Sequence, residues 1–155
     1  MTYRIEGLSP APFAPLFAMD DAELERNNAR RVTATSSRGF PCRVSLEDAR
    51  EGEGLVLVHH VSHDVATPYR SAFAIYVRES AEAPAAYVDE IPPVFEGRPL
   101  GLRGFDAGGM LKAALLALPG EADARIRELF ADAEIATIHA HNAAHGCFAA
   151  RIERD

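Results

Sequence analysis

The chain has no tryptophan, only two cysteines, and no long uninterrupted apolar run anywhere in its 155 residues. Without such a run there is no membrane-spanning helix, which needs about 18 or more consecutive apolar residues. Basic residues are also scarce: 16 Lys and Arg stand against 23 Asp and Glu, a formal net charge of −7. That balance argues against nucleic acid or an anionic membrane surface as partner, because both need a basic face. Two cysteines as distant as Cys42 and Cys147 do not make the disulfide framework of a small secreted domain. Met1–Glu6 has neither an apolar stretch behind its arginine nor a small-residue cleavage site, so it reads as mature protein. The expectation is a cytoplasmic protein with reduced thiols.

What is present suits a single globular domain over residues 1–155, since 48% of the chain is hydrophobic and a core of useful size can form. No internal repeat is visible. The Ala/Pro stretch at 81–86 and the Pro92-Pro93 pair read as loops within the domain.

The periodicities describe an α+β fold with an antiparallel or mixed sheet, a few helices and a C-terminal β-hairpin. Tyr3–Glu6 reads as a first strand, and closely spaced Pro10, Pro12 and Pro15 keep 9–18 irregular. Asp20 and Asp21 offer an N-cap for a short helix ending near Asn27. Residues 31–36 alternate like a half-buried strand, and 45–50 suit one helical turn. Residues 55–61 and 71–78 are apolar and β-branched or aromatic, which predicts a long-loop hairpin. Residues 98–105 and 110–118 are further strand candidates, the second with enough Leu and Ala to suit a helix instead. Ala122, Ile126, Leu129 and Phe130 place a buried stripe on a helix over 121–133. The segments 135–141 and 147–154 read as strands joined through Gly146.

All six histidines fall in two short stretches: His59, His60 and His63, then His139, His141 and His145. Period-two geometry places Ile138, Ala140, Phe148, Ala150 and Ile152 on the core face of the last hairpin, with His139 and His141 on the opposite, polar face. Symmetric pairing about the loop then sets Cys147 across from His141 and Arg151 across from Thr137.

Three chemistries follow from that face. His139, His141 and Cys147 are suitable zinc-type ligands, with His63, His145 or Cys42 as a fourth, although no Cys-x-x-Cys or His-Glu-x-x-His spacing is present. Cys147 with His139 or His141 suits a nucleophile and base pair, the imidazole oriented by Asn142. Arginines in or near these segments, including Arg43, Arg70 and Arg151, suit recognition of a carboxylate or phosphate. The glycines near 101–109 lack the Gly-Lys-Ser/Thr ending of a phosphate loop, and no motif identifies a cofactor.

Three segments taken together carry a resemblance. They are Phe40-Pro-Cys-Arg-Val-Ser-Leu-Glu-Asp-Ala49, then Thr67-Pro-Tyr-Arg70 continuing to Ala74–Glu79, then His139-Ala-His-Asn-Ala143 followed by Gly146–Arg154. The chain resembles, almost end to end, a bacterial family known as domain of unknown function 1203. That resemblance implies a single domain and no stated activity. It puts weight on Cys42, Arg43, Tyr69, Arg70, His139, His141, Asn142, Cys147 and Arg151, which lie in the matching segments, and less on His59, His60 and His145.

The leading expectation is a polar pocket near Cys42, Arg70, His139, His141 and Cys147 that binds or transforms a small anionic ligand. One alternative is a zinc-like metal site at His139, His141 and Cys147. Another is a structural module without catalysis, in which a sheet face or edge makes a homodimer.

Overall fold

A computed structural model describes residues 1–155. In chain order its strands are β1 (Tyr3–Glu6), β2 (Ala29–Thr33), β3 (Gly54–His63), β4 (Ser71–Arg78), β5 (Ala86–Val88), β6 (Leu100–Phe105), β7 (Leu111–Ala117), β8 (Thr137–Asn142) and β9 (Phe148–Arg154). The helices are α1 (Asp21–Arg26) and α2 (Ala122–Phe130). Six strands form one sheet in the order β5-β1-β9-β8-β6-β7, and three form a second in the order β2-β3-β4. Every strand pair is antiparallel. The fold is therefore α+β, a single domain ending in a strand hairpin. No helix is long and apolar enough to cross a membrane.

The β-branched runs explain the smaller sheet. Val56 pairs with Val77 and Val58 with Ile75, and all four are buried with Phe13, Leu16 and Leu24 from the N-terminal segment. Asp20 caps α1 by accepting from the Glu23 N–H at 2.8 Å, while the Glu23 carboxylate accepts from the Asp20 N–H at 2.8 Å. This reciprocal cap satisfies two donors that a short helix otherwise leaves free. On the larger sheet, Leu100, Leu102, Ile138, Ala140 and Ile152 form the main core with Ile126, Leu129 and Phe130 of α2. The face opposite α2 meets the smaller sheet, and the site is built there.

Several local expectations change. Residues 45–50 form no helical turn: Leu46 has φ of +54° and its side chain is buried in the main core. A leucine held there stores on the order of 1–3 kcal/mol of backbone strain, which its burial offsets. The strand expected at 31–36 is β2, set back to Ala29–Thr33. Residues 111–117 become the strand β7, because pairing with β6 along the sheet outweighs helix propensity. The Ala/Pro stretch leads into β5, too short to leave a periodic signal.

The last hairpin also differs in register. His139 lies across from Arg151, Thr137 from Glu153 and His141 from Phe148, with a bulge between Ala140 and His141. The extra residue, Ala149, shifts the pairing, so Phe148 joins the histidine face instead of the core face. Cys147 falls just before β9, after Gly146, whose φ of +76° is one that glycine adopts without penalty.

Candidate functional site

His139 and His141 project from β8 towards the smaller sheet, and each is only 3% exposed. Their face is an interface between sheets and not a wet surface. His63 packs edge-on to His139 with ring centroids 4.9 Å apart, and Phe73 packs on His141 at 4.9 Å. Phe105 lies 4.1 Å from His63, and Phe148 lies 5.4 Å from His139. His60 closes the cluster between Phe13 and Phe148.

The His139 and His141 rings are held neutral. Burial pushes His139 down to about 3, with His63, His141, Arg151 and Arg103 acting in the same direction. Burial also pushes His141 down to about 4, opposed by its bond to the Gly146 carbonyl. His60 is lowered too, by burial and by the charge of His59. His141 Nδ1 lies 2.9 Å from the Gly146 carbonyl, and His63 Nε2 lies 3.0 Å from that of Gly109. A carbonyl only accepts, so each of those nitrogens carries the proton. The cluster behaves as an aromatic core with polar edges.

Arg43 lies across from it, 3% exposed, on the loop between β2 and β3. The chain turns there because Cys42 forms a parallel bridge to Tyr76, an addition to the β4 edge. Arg43 Nε donates to the Phe148 carbonyl at 2.8 Å, and Nη1 to the Pro41 carbonyl at 2.6 Å. Its Nη2 donates to Cys147 Sγ at 3.1 Å, and Asn142 Nδ2 donates to the same sulfur at 3.6 Å. Burial pushes the Arg43 guanidinium below its ordinary value, and the neighbouring sulfur of Cys147 works against that. No carboxylate pairs with it. Buried arginines are usually matched to an anion, because an unmatched interior charge is expensive.

Arg43, Asn142 and Cys147 line a cleft of about 540 Å³. Leu57, Phe73, Tyr76 and Pro99 give it an apolar wall, and Arg98 and His145 stand at its margin. Arg98 is clamped by Asp48 through bonds of 2.7 and 2.9 Å. Although burial pushes the Asp48 carboxyl up, the Arg98 fork holds it below its ordinary range. No acidic side chain lines the cleft.

The residues singled out in the sequence thus divide. Arg43, Asn142 and Cys147 meet in the cleft, with His139 and His141 sealed in the neighbouring cluster. Cys42 is fully buried, its sulfur accepting from the Val44, Ser45 and Arg78 N–H groups at 3.4 Å each, which makes it a structural residue. Arg70 lies elsewhere, paired with Asp64 in solvent, and Tyr69 packs near Phe105. Arg151 pairs with Glu153 and reaches Thr137. Neither histidine bonds to Cys147; Asn142 addresses the sulfur and not an imidazole. Both cysteines are free thiols, and no three His, Cys, Asp or Glu side chains converge on a common metal position. Phe73, Tyr76 and Arg98 were not singled out in the sequence: two belong to an ordinary β-strand pattern, and Arg98 sits between Gly97 and Pro99 without any motif.

A family model described as "Protein of unknown function (DUF1203)" matches residues 39–154. No curated protein and no solved structure matches the chain. The matched span begins at the loop that carries Arg43 and ends with the hairpin that carries Cys147, so both halves of the cleft lie within it.

Proposed function

The chain belongs to the DUF1203 family, whose description assigns no activity, and from its geometry we propose that it binds a small organic anion in the Arg43 cleft. One observation carries this reading: in a chain of net charge −7, the cleft is bordered by two arginines and no acid. Arg98 already has its carboxylate in Asp48, whereas Arg43 has none. A bound carboxylate or phosphate supplies the missing partner, and charge-assisted bonds of that kind are about twice as strong as neutral ones. The volume suits a small molecule, and the Leu57, Phe73 and Tyr76 wall suits an apolar or aromatic body behind the anionic group. Asn142 adds a neutral donor that fixes orientation.

The test is a thermal-shift and calorimetric screen of small carboxylates and phosphate monoesters, each paired with its neutral amide or alcohol isostere. Anions should raise the unfolding midpoint, by about 2.7 kcal/mol of added stability at a hundredfold excess over Kd and by about 1.4 kcal/mol more for each further tenfold. Arg43→Gln should remove the effect while the circular dichroism spectrum stays native. Equal stabilisation by the neutral isosteres sinks the reading.

We also propose a cytoplasmic location, which the two free thiols support. A second reading, a homodimer, is favoured by β7, the terminal strand of the larger sheet, which leaves Leu116 and Leu118 more than half exposed. Edge strands of this kind pair readily with another copy unless charge or a bulge blocks them; β7 has both at Lys112, which would confine pairing to its C-terminal half. Light scattering coupled to size-exclusion chromatography decides it, and a monomer at high concentration overturns it.

A further inference from the structure

Cys147 does not use a histidine, yet its sulfur receives two directed donors at the margin of an open cleft. The two cysteines differ in every relevant respect. Cys42 is sealed, its sulfur surrounded by backbone N–H groups. Cys147 is partly exposed and lines the cleft. Arg43 is more than nine-tenths buried and aims Nη2 at the Cys147 sulfur from 3.1 Å. Each terminal nitrogen of Arg43 makes only one bond within the chain, to Pro41 through Nη1 and to Cys147 through Nη2. A guanidinium carries two N–H bonds on each of those nitrogens, so one on each has no partner within the chain, and Arg43 lines the cleft.

We propose that Cys147 is a hydroperoxide-reactive thiol, oxidised to a sulfenic acid inside the Arg43 cleft. This goes beyond anion binding and does not rest on it. In the step, the Cys147 sulfur attacks the distal oxygen of a hydroperoxide. The S–O bond forms as the O–O bond breaks, the sulfur is oxidised by two electrons, and the hydroperoxide is reduced to an alcohol or water. The distal oxygen brings its hydrogen to sulfur, and the thiol proton ends on the departing oxygen, so atoms and electrons balance. The Arg43 guanidinium, held 3.1 Å from the reacting sulfur, stabilises the negative charge that develops as the O–O bond breaks, which is where a preorganised donor accelerates a reaction. The apolar wall of Leu57, Phe73 and Tyr76 gives an organic hydroperoxide a better fit than hydrogen peroxide. Cys42 is sealed from the cleft and forms no disulfide with the product, so the sulfenic acid awaits a small external thiol, with which it condenses to a mixed disulfide and water.

The experiment exposes the full chain to substoichiometric cumene hydroperoxide, traps sulfenic acid with dimedone, and locates the adduct by peptide mass spectrometry. The expected result is an adduct on the Cys147 peptide that forms at least about tenfold faster than in the urea-unfolded chain, the scale of one charge-assisted hydrogen bond. Cys147→Ser should abolish it and Cys42→Ala should leave it. Asn142→Ala, which keeps the buried guanidinium in place, should slow it. Arg43→Lys should bring the rate to that of the unfolded chain. A native rate no faster than the unfolded one overturns the proposal, as does labelling of Cys42 ahead of Cys147. Failure of the anion screen leaves these rates unchanged, so the two readings fail separately.

Discussion

The two polar clusters beside β8 and β9 draw on neighbouring positions of the last hairpin, yet they come to opposite ends. His139 and His141 face the smaller sheet and become neutral; His141 bonds the Gly146 carbonyl and His139 packs edge-on to His63. Arg43, Asn142 and Cys147 lie at the open end of the same interface, where a charge persists and a cleft remains. Burial with a neutral option yields packing. Burial without one yields a site, because an arginine does not lose its proton to solve the problem. The difference explains why the buried histidines, part of the most conspicuous feature of the chain, pack as neutral rings while Arg43 keeps its charge beside a cleft.

The comparison is broken first by acid. The folded-state values of His139 and His141 lie below the ordinary 6.5, so the unfolded chain binds more protons between that value and about 3. Their contribution is therefore fully present above about pH 6.5 and is lost as pH falls through the window below it. The combined loss between pH 7 and pH 4 should be about 5 kcal/mol, as much as the whole stability of a domain at the low end of the ordinary range. Urea titrations across that range measure it, and His139→Phe should flatten the slope by roughly half. A stability that does not change with pH down to 4 contradicts the neutral cluster.

Arg43→Ala comes next. It leaves the buried Pro41 and Phe148 carbonyls without their donor and should lower stability by about 3 kcal/mol, with a slightly shallower acid slope because the Arg43 charge helps to hold His141 down. Destabilisation below about 0.5 kcal/mol would mean that those carbonyls are satisfied otherwise. The smallest effects belong to Arg70 and Arg151, whose ion pairs to Asp64 and Glu153 are in solvent. Either arginine replaced by alanine should change stability by no more than about 0.5 kcal/mol and leave anion binding intact. A loss of binding in Arg70→Ala would extend the site to a loop that lies apart from it here.

Much of the fold is legible in local pattern. The β-branched runs of β3 and β4, the Asp20 cap and the stripe on α2 are short-range signals, and each forms where its residues indicate. What escapes is the single-residue bulge at Ala149, because a bulge leaves no mark in alternation and moves every side chain beyond it. That shift puts Phe148 among the histidines and takes Cys147 away from His141. Leu46 escapes for a related reason: a left-handed leucine is set by the core it fills and not by its neighbours in sequence. The candidate site is legible as a set of motifs, since Arg43, Asn142 and Cys147 stand in segments that the sequence marks out. Their convergence is tertiary, carried by the bonds from Arg43 to Phe148 and Cys147 across more than a hundred positions of chain.

The most direct measurement of the central claim is an NMR titration of the uniformly nitrogen-15-labelled protein, following its arginine Nε–H and asparagine side-chain amide resonances as a small aromatic carboxylate is added. The account predicts that the Arg43 Nε–H resonance and the Asn142 side-chain amide shift together and saturate, while those of Arg70 and Arg151 stay still. Shifts spread over the exposed arginines, with Arg43 unmoved, would contradict it.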